Sequence, residues 1–278
     1  MAERNLKKSD LVQRSIIKKY RKNIWSNFVG AVQEYELIKE GDKIAVCISG
    51  GKDSVLMACC LRQLQKHSEV PFELVYLVMD PGYAPKNREL IEYNAKLLDL
   101  NVEIFESDIF EVTDRVGGSP CYLCARMRRG CLYSKAKSLG CNKIALGHHL
   151  NDVIETLLMS MTYSSEIKTM LPKLHSTNFE GMELIRPLYK VKEKDIISWS
   201  NYNELKFLQC ACKMTEKNAD IELMSKRKEI KALFEYIKTQ NPEVEDNVFR
   251  SLHNVNFATL PGWRDSDSGE LHSFLEKY

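Results

Sequence analysis

The chain has 278 residues, 44% of them hydrophobic and 28% charged, a composition typical of folded globular proteins and unlike that of disordered or fibrous ones. The formal net charge is only +2, so overall charge does not by itself indicate a nucleic-acid-binding protein. The sequence has no apolar run of membrane-spanning length and begins with charged residues. We therefore expect a cytoplasmic protein with no membrane partner.

Positive charge is concentrated at the amino terminus. Residues 1–25 contain eight Lys or Arg residues against Glu3 and Asp10, a net charge of +6, which leaves −4 for the rest because the total is +2. This segment either contacts the phosphates of a nucleic acid or forms the solvated face of a helix, and the sequence leaves both readings open.

Apolar periodicity predicts the following elements in chain order: a long helix over 8–38, a strand over 43–48, a helix to about 67, a strand over 72–79, a helix over 87–100, a strand over 102–105, a helix from 121 to about 138, a strand over 143–146, a helix over 151–161, an irregular stretch over 164–182, a last strand over 184–189, and mainly helical sequence afterwards. This alternation indicates βαβ units and a doubly wound, parallel α/β sheet with helical terminal additions. We predict a basic helical arm over residues 1–40, an α/β domain with the functional site over 41–215, and a helical region over 216–278 packed on it.

A glycine-rich loop follows the first predicted strand, which is almost wholly apolar and so resembles strands buried inside parallel sheets. The loop reads Ser49-Gly50-Gly51-Lys52-Asp53-Ser54 and leads into a helix. Glycines let backbone amides approach an anion, and the helix start, the serine hydroxyls and the lysine add positive charge and donors. It is not a Walker loop, because Val46 and Asp53 stand where that motif requires Gly and Ser or Thr. The loop is a candidate phosphate-binding site.

A second polar segment follows the fourth predicted strand and reads Gly147-His148-His149-Leu150-Asn151-Asp152-Val153-Ile154-Glu155-Thr156. Ligands bind at such strand ends in parallel sheets. Gly147 is a candidate nucleotide-binding residue, and Asp152 is a candidate for holding Mg²⁺ or orienting a nucleotide. We assign no role to Asn151. We expect the adjacent histidines to be structural, or to support the residues that bind a ligand without contacting it themselves.

Four of the nine cysteines lie in two pairs, Cys121-Tyr122-Leu123-Cys124 and Cys210-Ala211-Cys212. The first pair opens an arginine-rich predicted helix, and a helix amino terminus with nearby cations favours thiolates. A C-x-x-C pair with a distant cysteine fits an iron–sulfur cluster, a zinc site or a redox pair that forms a persulfide. Cys59 and Cys60 lie in an apolar helix and are expected to be core residues.

Together these segments resemble the tRNA 2-thiocytidine synthetase family, TtcA, of the ATP pyrophosphatase or PP-loop superfamily. The similar strings are S-G-G-K-D-S, C-Y-L-C-A-R-M-R-R-G, G-H-H and F-L-Q-C-A-C, and the match runs from about residue 8 to 262, including residues 250–255. The resemblance implies an adenine nucleotide alpha hydrolase-like, Rossmann-like fold. It also implies an enzyme that cleaves ATP to AMP and diphosphate, adenylates the C2 oxygen of an anticodon-loop cytidine and replaces that oxygen with sulfur.

The resemblance extends to cofactors and site residues. In that family three cysteines hold a [4Fe–4S] cluster with one iron not bound by protein, and by motif position these are Cys121, Cys124 and Cys210. The second pair is spaced C-x-C rather than C-x-x-C, so whether Cys212 replaces or joins Cys210 stays open. ATP is the implied co-substrate, held by residues 49–54 and the second segment. The implied catalytic residues, acting with Mg²⁺, are Lys52, Asp53 and Asp152.

The implied partners are tRNA and a sulfur donor, either free sulfide or sulfur from a cysteine desulfurase, and a homodimer is expected by analogy. Two sets of side chains stay open between RNA contact and ordinary packing or solvation: the arginines Arg126, Arg128 and Arg129, and the aromatic residues Trp25, Tyr122 and Trp263.

Three other functions fit parts of the sequence. Thiolation of a tRNA uridine is disfavoured because related enzymes carry extra zinc-ribbon cysteines, and this chain has no Cys before 47 or after 212. A PP-loop amidotransferase or ligase explains the loop but gives the cysteine pairs no role. A zinc-stabilised RNA-binding or redox-sensing protein is the non-enzymatic alternative.

Overall fold

The computed structural model describes residues 6–107, 109, 120–208, 220–265 and 268–277, with the backbone only at 120–126, 220–225 and 277. Its helices are α1 (Lys8–Ile17), α2 (Ser26–Glu34), α3 (Lys52–His67), α4 (Pro85–Leu97), α5 (Pro120–Ser138), α6 (Leu150–Tyr163), α7 (Glu193–Tyr202), α8 (Asp220–Lys238) and α9 (Val244–Ser251). Its strands are β1 (Lys43–Ile48), β2 (Glu73–Asp80), β3 (Val102–Glu106), β4 (Lys143–Ala145), β5 (Lys173–His175), β6 (Glu183–Ile185), β7 (Gly262–Arg264) and β8 (Leu271–Ser273).

Six strands form one sheet in the order β3-β2-β1-β4-β6-β5. Neighbours from β3 to β6 pair in parallel, and β5 pairs antiparallel with β6 at the edge. The chain moves outward from β1 through β2 to β3, then returns to the other side of β1 as β4. The predicted doubly wound, mainly parallel sheet is confirmed, and the crevice between the carboxyl ends of β1 and β4 is its topological switch point.

The central strand β1 is covered on both faces. Ile44, Val46 and Ile48 belong to a core cluster that includes residues of α1, α2, α3 and α7. The alternate residues Ala45 and Cys47 belong to a second cluster that includes residues of α5. Period-two side-chain alternation on a strand buried on both faces explains why its sequence is almost wholly apolar.

The prediction of one continuous helix over 8–38 is wrong. After α1 the chain forms a turn and then a π-helical segment, Arg21–Trp25, before α2 begins. The reason is the spacing of the buried residues, which recur every four positions as Val12, Ile16, Tyr20, Ile24, Phe28 and Val32. Because an α-helix has 3.6 residues per turn, this spacing drifts by about 40° at each step, and a wider π turn restores the alignment with the core.

The region after α6 differs from the prediction in three places. The stretch 164–182, predicted to be irregular, contains β5, whose three half-exposed residues are too few to give a strand signal. The strand predicted over 184–189 covers only Glu183–Ile185, and Pro187, two residues after its end, lacks the N–H needed to continue the ladder. The β7–β8 hairpin was not predicted among the helices of the carboxyl-terminal region.

The chain divides into two compact units, residues 1–230 and 231–278. In the second unit, Lys238 Nζ lies 2.7 Å from Glu245 Oε1, and the rings of Trp263 and His272 stack with centroids 5.3 Å apart. The predicted boundary between residues 215 and 216 lies outside the described residues. No helix in the described ranges combines the length and apolarity needed to cross a bilayer.

Candidate nucleotide and metal site

The loop after β1 is organised by Ser54 and Gly50. Ser54 Oγ accepts a hydrogen bond from the Ser49 backbone N–H at 3.1 Å and donates to the Gly51 carbonyl at 2.9 Å. Gly50 has φ +81°, and a Cβ there would lie 2.8 Å from Ile91 Cγ1. Glycine is the residue that tolerates both the left-handed conformation and the close approach. The loop therefore turns tightly from β1 into the amino terminus of α3, the arrangement that suits an anion.

Gly147 brings the second polar segment against the start of α3. A Cβ on Gly147 would lie 2.9 Å from the backbone nitrogen of Ser54 and 3.0 Å from its Cα. Backbone atoms cannot move aside as the end of a flexible side chain can, so this contact requires glycine. The structure thus brings together the two segments that the sequence singled out.

Lys52 is held between two carboxylates. Its Nζ lies 3.3 Å from Asp53 Oδ1 and 3.2 Å from Oε1 of Glu193, the first residue of α7. The Glu193 backbone N–H donates to Asn151 Oδ1 at 2.9 Å. Asn151, to which we assigned no role, therefore accepts from an N–H at the start of α7 and holds the backbone of the residue that faces Lys52.

His149 and Asp152 form a capping box at the start of α6. The Asp152 backbone N–H donates to His149 Nδ1 at 3.4 Å, and the His149 backbone N–H donates to Asp152 Oδ2 at 3.1 Å. His149 is buried, and its Nε2 lies 3.9 Å from Asp53 Oδ1. This geometry agrees with the expected structural role of His149 and fixes the orientation of Asp152.

The second oxygen of Asp152 faces Arg227 of α8, whose Nη1 lies 3.3 Å from Oδ1. Arg227 Nε also lies 3.4 Å from Oε2 of the buried Glu155. Burial raises the pKa of Asp152, but the imidazoles of His149 and His148, the His149 N–H and the Arg227 guanidinium outweigh it and lower that pKa. Asp152 is therefore a carboxylate at neutral pH, as a metal ligand must be.

A cavity of about 410 Å³ lies over these residues at the switch point. Its lining includes Ser49, Asp53, Ser54, Gly147, His148, Asp152, Arg128 and Arg129. Two of the three arginines on α5 thus border the same space as the loop, whereas the Arg126 side chain lies outside the described atoms. Burial, followed by the charge of Arg186, lowers the pKa of His148 to about 4, so the His148 imidazole is uncharged at neutral pH.

The carboxylates fit a divalent cation. Asp53 Oδ1 is buried and has no hydrogen-bond partner among the residues the structure describes, although the Lys52 ammonium lies near it. Asp53 and Asp152 line one cavity, and carboxylate oxygens are the ligands that Mg²⁺ takes in nucleotide sites.

The cysteines can be placed in part. Cys121 and Cys124 are the second and fifth residues of α5. Their thiols, and all of Cys210 and Cys212, lie outside the described atoms. Two cysteines near the start of a helix that borders the cavity fit a thiolate-bound cluster, since soft thiolates are the ligands of iron–sulfur clusters. Cys59 and Cys60 are fully buried, which confirms their expected core role.

The aromatic residues are placed only in part. The Trp25 ring stacks on Phe28 and packs against the core, which agrees with the packing alternative. Trp263 stacks on His272 within the second unit, and the Tyr122 side chain lies outside the described atoms.

Sequence reasoning missed Glu193, Arg186 and Arg227. Glu193 and Arg227 contact the site from helices far along the chain, and no local motif marks them. Arg186 has a detectable signal, because it follows β6 directly and so stands at the carboxyl edge of the sheet. It is buried and lies close enough to His148 for its charge to affect that imidazole.

Residues 18–223 match the PP-loop domain family. A tRNA-cytidine(32) 2-sulfurtransferase of Geobacter metallireducens is 38% identical over 242 residues, covering 86% of this chain and 91% of that protein. A protein of the same name from Alcanivorax borkumensis is 37% identical over 269 residues, covering 95% of this chain and 91% of that protein. Among solved structures, the U34-tRNA thiolase NcsA of Methanococcus maripaludis with its [4Fe-4S] cluster superposes with a TM-score of 0.66 at 20% identity. The match covers 82% of this chain and 77% of that chain, and it shows the fold alone.

Proposed function

This chain belongs to the PP-loop family and, within it, to the tRNA-cytidine(32) 2-sulfurtransferases, and we propose from that membership that it thiolates tRNA. The reaction is ATP-dependent replacement of the C2 oxygen of an anticodon-loop cytidine by sulfur, which gives 2-thiocytidine. The observation that carries the proposal is the shared cavity, where the phosphate loop, two carboxylates and the helix that begins with the C-x-x-C pair meet.

ATP binds with its β- and γ-phosphates on residues 49–54. The backbone of the loop and the amino-terminal end of α3 supply the positive field, and Lys52 adds a cation close to the bond that breaks. Gly147 allows the wall of the nucleotide site to approach the loop closely. Asp53 and Asp152 hold Mg²⁺, which neutralises charge on the phosphates.

The first chemical step activates the base. The C2 oxygen of cytidine attacks the α-phosphate of ATP, the bond to the bridging oxygen breaks, and diphosphate leaves from the loop. In the second step a sulfur nucleophile attacks C2, the C2–O bond breaks, and AMP carries the oxygen away. Hydrogensulfide as nucleophile loses its proton during this exchange, so the thiolated base is formed without any change in oxidation state.

Cys121, Cys124 and Cys210 hold the [4Fe–4S] cluster in this proposal. When bound, the cluster supplies an iron site that delivers sulfide as the nucleophile. Arg128 and Arg129, which line the cavity, bind the phosphate of the target nucleotide or the negative charge of the adenylated base. The sulfur comes from free sulfide or from a cysteine desulfurase, and the enzyme acts as a homodimer.

The test is a reconstituted reaction under anaerobic conditions with ATP, sulfide and unmodified tRNA. We expect 2-thiocytidine in the digested tRNA and one AMP per modified base. Cys121→Ala is expected to abolish the thiolated nucleoside while ATP still binds. Full thiolation by Cys121→Ala would sink the cluster mechanism. The appearance of 2-thiouridine, or of an aminated base, would instead identify one of the two related enzymatic functions.

Metal analysis separates the cluster from a zinc site. We expect about four irons per chain in anaerobically purified protein, lost in Cys210→Ser and retained in Cys212→Ser. One zinc per chain, released by either substitution, would indicate a closed structural site and favour the non-enzymatic alternative.

A further inference from the structure

The outward side of the amino-terminal helices carries five exposed cations that the proposed chemistry does not use. They are Arg14, Lys18, Lys19, Arg21 and Lys22, called the N-terminal basic face below. The apolar residues among and beside them, Val12, Ile16, Tyr20 and Ile24, are buried in the core. The helices are therefore fixed to the domain by their apolar side, and the basic side is presented to solvent.

These charges are not balanced within the described part of the chain. None of the five forms an ion pair there with a carboxylate. Lys19 Nζ lies 3.4 Å from the centroid of the exposed Tyr202 ring. An aromatic ring attracts a cation but does not neutralise it, so Lys19 keeps its charge. Lys18, Lys19, Arg21 and Lys22 fall within five consecutive residues, so like charges lie close together and repel one another. A patch of this kind is relieved by a polyanion.

Side-chain contacts connect the basic face to the helix that reaches the nucleotide site. Asn23 Nδ2 donates to Asp195 Oδ1 at 2.8 Å, and the Tyr20 hydroxyl donates to the Ser198 carbonyl at 2.8 Å. Both acceptors belong to α7, and Asp195 is two residues after Glu193, which contacts Lys52. The basic face therefore adjoins the helix whose first residue contacts the phosphate loop.

We propose that the N-terminal basic face binds the phosphate backbone of the tRNA substrate while the target base enters the cavity. The proposal rests on the proposed function, which requires a tRNA, and it specifies the surface that holds the RNA outside the reacting nucleotide. Such contacts carry no sequence information and act through charge, so they position the RNA and make its binding depend on salt.

The experiment compares two triple variants of equal charge by fluorescence anisotropy with labelled tRNA across a series of KCl concentrations. The test variant is Lys18→Gln, Arg21→Gln and Lys22→Gln. The matched control, Lys39→Gln, Lys66→Gln and Lys96→Gln, removes three exposed lysines outside the N-terminal basic face: Lys39 lies in the segment before β1, and Lys66 and Lys96 lie in the last turns of α3 and α4. All six positions are exposed, and a thermal melt verifies that both variants fold.

We expect the test variant to bind tRNA about tenfold more weakly near 0.15 M salt, with the slope of log Kd against log salt reduced by about 2 to 3, because each lost phosphate contact removes close to one unit. The control is expected to retain the wild-type slope. ATP affinity should be unchanged in both, and thiolation by the test variant should recover at saturating tRNA.

Wild-type affinity and slope in the test variant, with 2-thiocytidine still formed, would overturn this surface and leave the proposed function standing. Failure of the wild type to bind or thiolate tRNA would overturn both. Binding of the wild type to anionic phosphatidylserine vesicles that is lost in the test variant, with tRNA binding unchanged, would assign the face to a membrane surface and overturn the proposal.

Discussion

At the scale of single residues, the site depends on side chains that hold other side chains. Lys52 lies between Asp53 and Glu193, and Glu193 is fixed by Asn151 through a backbone hydrogen bond. An ammonium on a four-carbon stem is flexible, and two carboxylates restrict its position before substrate arrives. In the proposed mechanism Glu193 is thus a positioning residue, which would affect the reaction through Lys52.

Glu193→Gln tests this role because glutamine has the same shape and keeps the backbone bond to Asn151. We expect kcat for AMP formation to fall about tenfold, equivalent to about 1.4 kcal/mol in the transition state, while KM for ATP changes less than threefold. Steady-state AMP release with saturating tRNA measures both constants. The control is Glu89→Gln on the exposed side of α4, and an unchanged kcat in Glu193→Gln would remove Glu193 from the mechanism.

Gly147→Ala tests the close approach of the two nucleotide segments. A methyl group 2.9 Å from the Ser54 backbone nitrogen must displace the start of α3, so we expect a loss of about 1–3 kcal/mol in unfolding free energy and a raised KM for ATP. Urea denaturation and ATP titration measure the two effects. Gly30→Ala is the matched control: it lies in α2 with no atom within 4 Å of the new methyl, and it should be neutral or stabilising.

At the scale of elements, the amino edge of the sheet is held by a buried ion network. Lys143 Nζ lies 2.8 Å from Asp42 Oδ2 and 3.1 Å from Glu183 Oε2, and its side chain is 4% exposed. The network joins the turn before β1 to the first residues of β4 and β6. Removing one member leaves buried charge unpaired, which costs more than the pair itself contributes.

We therefore expect Lys143→Met to lower the unfolding free energy by about 3–5 kcal/mol. The neighbouring exposed pair, Lys43 and Glu73 at 3.5 Å, provides the control, and Lys43→Met should cost at most about 1 kcal/mol. Urea denaturation of both variants measures the difference. Equal losses in the two variants would show that burial does not govern the strength of this network.

The helices and strands also show which parts of the fold the sequence predicts and which depend on tertiary packing. The elements from 43 to 161 were predicted to within a few residues, because the strands are mostly apolar and the helices are amphipathic and of adequate length. The π-helical segment and β5 were not, since the first appears only as a drift in spacing and the second is a short edge strand with no buried residue, unlike the equally short but fully buried β4. The phosphate loop was recognisable as a contiguous string, whereas the contact between Glu193 and Lys52 depends on tertiary packing.

At the scale of the whole molecule, the free energy of unfolding depends on the pH at which His148, in the lining of the cavity, takes up a proton. His148 has its pKa lowered from an ordinary value near 6.5 to about 4. Between those values the unfolded chain binds a proton that the folded protein does not. The contribution of His148 is therefore fully present above about pH 6.5 and is lost as the pH falls towards 4.

We expect the unfolding free energy of the metal-free protein to fall by about 2 kcal/mol more between pH 7.5 and pH 5 than that of His148→Gln, whose amide does not titrate. Urea denaturation at the two pH values gives the comparison. Parallel behaviour of the two proteins would show that His148 is protonated equally in the folded and unfolded states.

The contact between Gly147 and Ser54 also constrains how this protein can evolve. The two positions lie in different motifs, far apart in sequence, yet one has no room for a side chain because the backbone of the other occupies the space. A change that shifts the start of α3 is therefore tolerated only if the turn after β4 shifts with it. We therefore expect the two motifs to vary together, because the space that a side chain in one would need is set by the backbone of the other.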